Sequence, residues 1–209
     1  MNTYAVIDFE TTGLSPAQGA RPTEIAVVLV DQQGIKDRFQ SLMNPGVSIP
    51  ADIQALTGIS NAMVKKAPGV AQVMQQACKF AANHPIVAHN AAFDQKFWEV
   101  ELQRLNLYQQ QKFACSMLLS RRIFPELPNH RLGTLVQSLK LPNTGRSHRA
   151  LADAEATAHL FLHLQQALRS RFQLASVSHA LLLAIQAKSR SQLEACVLKY
   201  GGLRAEQMA

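Results

Sequence analysis

Tyr4-Ala5-Val6-Ile7-Asp8-Phe9-Glu10-Thr11-Thr12-Gly13 is the stretch that decides the fold. Its first six residues form a short apolar run rich in strand formers. Side chains on a strand alternate between faces, so Val6, Asp8 and Glu10 share one side. Two carboxylates that close raise each other's pKa unless a cation intervenes. Gly13 permits a tight exit from the strand, and the amides and hydroxyls of Thr11 and Thr12 are suited to touching a nucleotide. An isolated Asp-x-Glu fits two solvated acids at a strand end. The longer string Asp8-Phe9-Glu10-Thr11-Thr12-Gly13 fits a functional site.

Two further segments carry matching chemistry. Ile86-Val87-Ala88 reads as a short buried strand that ends at His89-Asn90, with Asp94 in the first turns of the next helix. Asp94 by itself is accounted for by the helix dipole, and His89 and Asn90 by turn and cap roles. The third segment is His148-Arg149-Ala150-Leu151-Ala152-Asp153. Five residues on one helix are about 140° apart. His148 is therefore placed on the loop after Gly145-Arg146-Ser147, with Asp153 inside the helix. Asp153 heads a line with Thr157, Leu160, Leu164 and Ala167, where an acid is out of place unless it faces a cation.

Asp8, Glu10, Asp94 and Asp153 all lie on apolar segments, and such acids are costly unless neutralised. A pair of hard divalent cations neutralises them and is a known device for cleaving phosphodiesters. Carboxylate and water ligands favour Mg²⁺ or Mn²⁺ over soft metals. An imidazole, with an ordinary pKa of about 6.5, suits a proton acceptor at neutral pH, which is the role open to His148. The chain reads as a metal-dependent nuclease.

Composition agrees. The 209 residues suffice for one sizeable core, and 47% hydrophobic against 17% charged is a globular balance. Lys plus Arg is 21 and Asp plus Glu is 14, a formal net charge of +7. With four acids assigned to the site, the remaining surface is more basic still and fits a polyanionic partner, although charge alone would decide nothing. Cys78, Cys115 and Cys196 are far apart and show no metal-binding spacing. Buried free thiols, no leader-like segment and no apolar run of membrane length lead to an expectation of a cytoplasmic location without membrane attachment. His159 and His163, four apart, lack a third ligand and read as an exposed helix face. Lys65-Lys66 and Arg121-Arg122 read as solvated doublets, whereas Arg146 and Arg149 flank His148 and are better placed for a phosphate backbone.

Further strands are expected over residues 24–30 and 35–42, joined by the turn Asp31-Gln32-Gln33-Gly34, and over 113–115. Helices are expected over 68–82, 91–105, 116–123, 131–139 and 149–168. In the last segment, Ala180 to Ile185 and then Leu193, Val197 and Leu198 suggest two short helices broken near Ser189-Arg190-Ser191. They are expected to pack on the core, the alternative being a docking element. The order gives an α/β fold with a mixed sheet and helices on its faces.

The three segments closely resemble the exonuclease motifs of the DEDDh (DnaQ-like) family of 3′–5′ exonucleases, which includes the epsilon proofreading subunit of bacterial DNA polymerase III, RNase T and oligoribonuclease. The resemblance spans residues 4–168. It implies a ribonuclease H-like fold with a five-stranded mixed sheet, three antiparallel strands followed by two βα units. It implies two metal ions on Asp8, Glu10, Asp94 and Asp153, with His148 as general base. Thr11, Thr12, Gly13, Leu14, Leu56, His89, Asn90, Phe93 and Arg149 are the implied substrate contacts, Leu56 through the segment Leu56-Thr57-Gly58-Ile59-Ser60. Residues 1–171 form the implied exonuclease domain and 172–209 a helical extension, open to a polymerase or repair partner. The expected reaction is hydrolysis of nucleic acid from a 3′ end to nucleoside 5′-monophosphates, on DNA more than RNA. An exoribonuclease or a proofreading accessory subunit is the alternative.

Overall fold

The computed structural model describes residues 3–108 and 111–200. The nine final positions of the C-terminal extension lie outside the described residues.

Strand β1 (Tyr4–Thr11) pairs antiparallel with β2 (Pro22–Asp31), which pairs antiparallel with β3 (Gly34–Leu42). The β2–β3 turn is tight because Asp31 Oδ1 accepts from Gln33 N–H at 2.8 Å and Gly34 takes φ +117°. Helices α1 (Ala51–Thr57), α2 (Asn61–Lys65) and α3 (Val70–Ala81) follow. Next come β4 (Ile86–Ala88), α4 (Ala92–Arg104), β5 (Phe113–Cys115), α5 (Ser116–Ile123) and α6 (Leu132–Ser138). The chain then runs through α7 (Ala150–Phe172), α8 (His179–Gln186) and α9 (Leu193–Tyr200). The sheet order is β3-β2-β1-β4-β5, with β1, β4 and β5 parallel. This is the mixed five-stranded α/β arrangement that the sequence implied.

Both faces of the central strands are covered, which is why β1 and β2 are almost continuously apolar. Tyr4, Val6, Ala26, Val28 and Val87 pack with Ala154, Ala158, Phe161 and Leu164 of α7. Ala5, Ile7, Phe9, Ile25 and Val27 pack with Val73 and Met74 of α3 and Phe97, Trp98 and Leu102 of α4. The alternation therefore places Asp8 and Glu10 on the α7 side, at the end of the strand where that apolar layer runs out.

The structure departs furthest from the expected elements at α3, at the end of α7, and at α1 and α2. α3 begins at Val70 with Gly69 as N-cap, and Pro68 lies outside it, its carbonyl accepting from Asn44 N–H at 2.8 Å. α7 extends past residue 168 and closes at Gln173 in the left-handed region, φ 53°. α1 and α2 were not anticipated, being too short to display a helical period. Their signals were local: Pro50 before α1, Gly58 at φ +74° after it, and Ser60 Oγ accepting from Met63 N–H to open α2.

The tail packs on the α7 layer. Leu181, Leu182, Ile185, Leu193 and Val197 join the cluster that contains Phe161 and Leu168. Gln186 completes the open edge of β5, accepting from Cys115 N–H at 2.7 Å and donating to the Phe113 carbonyl at 3.1 Å. Arg122, expected to be solvated, instead donates to the carbonyls of Leu118, Gln186 and Lys188. His163, likewise expected on an exposed face, stacks on Phe124 at 5.6 Å. Among the described residues no helix is long and apolar enough to cross a membrane.

Candidate active site

Asp8 and Glu10 project from the C-terminal half of β1. The β1–β2 register shifts between Glu10 and Thr11, an irregularity of the kind that re-aims side chains beside functional sites. Asp94, in the first turn of α4, is 2% exposed, and its Oδ1 accepts from Phe9 N–H at 3.1 Å. That bond ties the α4 carboxylate to the strand between the other two acids. Asp153 sits in the first turn of α7, and its Oδ2 accepts from His148 N–H at 2.9 Å. His148 is exposed on the preceding loop and takes φ 60°, a left-handed conformation that costs an ordinary residue about 1–2 kcal/mol. The Asp153 bond holds it there.

Ligand-type atoms of Glu10, His148 and Asp153 lie within 4.8 Å of one another. The carboxylates respond as a crowded set. Burial, then Asp94, Asp153 and Glu10, push Asp8 well above the usual carboxylate range. Burial, Asp153 and Glu24 push Glu10 up to about 8, opposed by Arg149. Burial raises Asp94 against the pull of the Phe9 N–H, and burial raises Asp153 against the His148 N–H. So many acids driven upward together is the condition a bound cation relieves, and the all-oxygen donor set with one imidazole fits a hard divalent metal.

A cleft of about 360 Å³ opens over this set. Thr11, Gly13, Leu14, Leu56, His89, Asn90, Phe93 and His148 line it together with the four acids. Leu14 is 80% exposed and Leu56 48%, so both offer apolar surface to a ligand. Phe93 is wedged against Phe97 at 5.1 Å and reaches the cleft with its free side. Ile53 and Thr57 complete the α1 wall, a contribution visible only once α1 is recognised as a helix. Just past the end of α1, the Arg146 guanidinium lies over Gly58, where an added Cβ would sit 2.7 Å from Nη1.

Thr12 and Arg149, expected to touch substrate, have side-chain polar groups bonded within the protein. Thr12 is buried, and its Oγ1 accepts from Arg21 N–H at 3.0 Å, pinning the base of the loop that carries Leu14. Arg21 is itself held by Glu101 through bonds of 3.0 and 3.2 Å. Arg149 turns away from the cleft to form a two-pronged pair with Glu24, at 3.1 and 2.8 Å. Glu24 was missed by sequence reading. It is fully buried on β2, opposite Glu10, and also accepts from Ala150 N–H at 3.0 Å. A strand side chain thereby serves as the cap of α7, whose N-cap residue Arg149 makes no side-chain cap of its own.

His89 has a defined tautomer. Nε2 faces the His130 carbonyl at 3.1 Å and must donate to it, so Nδ1 accepts from Ser116 Oγ–H at 2.9 Å. Burial holds its pKa down at about 4. His89 is thus a neutral strut joining the end of β4 to α5 and to the loop before α6.

The RNase T-type family model, described as exonuclease, matches residues 5–161. The chain is 39% identical to DNA polymerase III PolC-type of Bacillus cereus over 78% of its length and 11% of that protein's. It is 38% identical to the 3′-5′ exonuclease DinG of Bacillus subtilis over 79% of its length and 18% of the relative's. The chain thus spans less than a fifth of these curated relatives. Among solved structures, Exonuclease X in complex with 5′ overhanging duplex DNA superposes with a TM-score of 0.69 at 26% identity, covering 89% of this chain and 99% of that one. The chain belongs to the RNase T-type exonuclease family, and its fold is that of the solved Exonuclease X.

Proposed function

We propose that this chain removes nucleotides one at a time from the 3′ end of a nucleic-acid strand, DNA in preference to RNA, releasing nucleoside 5′-monophosphates. One observation carries the reading: four carboxylates distant in sequence, Asp8, Glu10, Asp94 and Asp153, converge with His148 on one cleft walled by apolar side chains. DNA is favoured because the similar Exonuclease X is described with DNA and the PolC-type relative as a DNA polymerase.

Asp8, Glu10, Asp94 and Asp153 would hold two Mg²⁺ or Mn²⁺ ions, which when bound supply charge neutralisation at the scissile phosphate and acidify water. The residues do the rest. Leu14, Leu56 and Phe93 grip the terminal base and sugar by apolar contact and fix the ester bond over the carboxylates. His148 accepts the proton of the attacking water on an imidazole nitrogen, while Asp153 holds the His148 backbone in place. His148 lies on the exposed side of the cleft, so the proton passes readily to solvent. The relatives' identity as polymerase III proteins supports a polymerase or repair assembly as the working context.

The test is degradation of 5′-labelled single strands of DNA and RNA with Mg²⁺, beside circular strands. Stepwise shortening of linear strands from the 3′ end is expected, DNA faster, with circles intact. Cleavage of circles would overturn the exonuclease assignment, and no cleavage of any strand would overturn the enzyme.

A further inference from the structure

The loop between β1 and β2 that carries Leu14 has open space on both sides. Leu14 lines the acidic cleft and, behind it, a hollow of about 270 Å³ shared with Gln18, Val47 and Ser48. With Leu14 80% exposed, side-chain packing holds little of the loop tip. Its shape comes from its own backbone: Gln18 and Ala20 N–H donate to the Ser15 carbonyl at 3.0 and 3.2 Å, and Gly19 N–H donates to the Pro16 carbonyl at 3.0 Å. The neck is narrow. Thr12 N–H donates to the Arg21 carbonyl at 2.8 Å, Arg21 N–H donates to Thr12 Oγ1 at 3.0 Å, and a Cβ on Gly13 would stand 3.4 Å from that of Ala20. A loop closed on itself turns about its neck, so whatever holds the neck aims Leu14.

Helix α4 holds it. Arg21 donates from Nε to Glu101 Oε1 at 3.0 Å and from Nη2 to Oε2 at 3.2 Å, and Arg104 Nη1 donates to the same Oε1 at 2.8 Å. Glu101 is 3% exposed, beside the buried Trp98 and Leu102. Stability alone does not account for an acid there, since an apolar pair of similar volume is often as stable as a buried ion pair. A forked pair supplies geometry instead, because two parallel bonds admit one orientation. Glu101 follows Asp94 by seven residues, so the two acids share a face of α4 to within about 20° and stand about 10 Å apart along it. Asp94 binds the β1 backbone through Phe9 N–H, and Glu101 binds the loop neck through Arg21. The helix that carries Phe93 and Asp94 therefore also sets where Leu14 stands against them.

We propose that Arg21 and Glu101 are positioning residues for the terminal nucleotide: their forked pair fixes the loop on α4 and so holds Leu14 at its place in the cleft. This rests on the exonuclease reading and adds residues that act on substrate through Leu14 without touching it.

The test uses a ten-nucleotide DNA strand with Mg²⁺ and four forms of the full chain: the parent, Arg21→Gln, Leu14→Ala and the double variant. Arg21→Gln leaves Glu101 bonded to Arg104, so the buried acid keeps a partner. KM is expected to rise about tenfold in each single variant, the scale of one lost apolar contact, with kcat within about twofold because Leu56 and Phe93 stay in place. The double variant should be no worse than Leu14→Ala, since the effect of Arg21 passes through Leu14. Arg21→Lys, which keeps the charge but not the fork, should recover part of KM. An unchanged KM in Arg21→Gln overturns the proposal. So does a double variant whose KM rises about a hundredfold, the product of two independent effects. Equal losses in kcat and in the urea midpoint, unrelieved by lysine, would make the pair merely structural. If the parent does not shorten the strand, the exonuclease reading fails instead. Amide exchange then decides the tether: Thr12 and Arg21 N–H should exchange about tenfold faster in Glu101→Met while Ile25 stays protected, and equal rates in parent and variant refute it.

Discussion

Arg149→Met tests whether the buried Arg149–Glu24 pair holds the site together. The substitution keeps an unbranched apolar stem, shorter than that of arginine, and removes both bonds to Glu24. Glu24 is left fully buried, retaining Ala150 N–H at 3.0 Å and the Gln40 amide at 2.7 Å. Removing one member of a buried pair costs about 3–5 kcal/mol. The Arg149 side chain is 33% exposed, which places this case at about 3 kcal/mol. With a urea m-value of about 2 kcal/mol/M, the unfolding midpoint should fall by about 1.5 M. Activity should fall further than stability at permissive urea, because Arg149 also opposes the rise of Glu10 and because α7 carries Asp153. The double variant Glu24→Met/Arg149→Met should recover only part of the midpoint, since an apolar pair in place of a buried ion pair is often neutral but Ala150 N–H loses its acceptor. An Arg149→Met midpoint within about 0.3 M of the parent, or a double variant weaker than the single, would refute the argument.

Metal-free protein should lose stability as pH rises from about 5 to 8. The folded pKa of Glu10 is raised from 4.5 to about 8, so the folded state binds its proton more tightly and that advantage vanishes above about 8. Mg²⁺ at about 100 times its Kd should add about 2.7 kcal/mol, raising Tm by about 5–10 °C at pH 8 and less at pH 5. A calorimetric series showing the larger gain at pH 5 would contradict it. Asp94→Asn should abolish strand cleavage while keeping the fold, because an amide oxygen still accepts from Phe9 N–H; wild-type cleavage rates would remove Asp94 from the site. Gly58→Ala should cost about 1–2 kcal/mol in urea unfolding, since φ +74° is strained for alanine and Arg146 must also move. Arg122→Gln should loosen α8, read as faster exchange of its amides while α3 remains protected; unchanged α8 exchange would show the tail is held by its apolar face alone.

Strand alternation in residues 4–10 suffices to assign Asp8 and Glu10 to one side, because the period of two is a property of the backbone alone. The strands 86–88 and 113–115 were legible for a related reason: short apolar runs between helical patterns have few alternatives. α1 and α2 were not legible as helices, and with them went Ile53 and Thr57 of the cleft wall. Seven and five residues leave no period to detect, so their existence depends on the caps and on packing of Ile49, Ile59 and Val64.

Sequence by itself marked the residues proposed to carry the chemistry, since an acid on an apolar segment is conspicuous wherever the segment goes. Tertiary structure alone decided which cations are tied into the scaffold and which face solvent. Arg149 binds Glu24, 125 residues away, Arg122 binds the carbonyls of the α8 end, and Arg121 and Arg131 line the hollow between α5 and α6. A guanidinium takes the nearest acceptor in space, and nearness across a fold is set by the packing of elements remote in the chain.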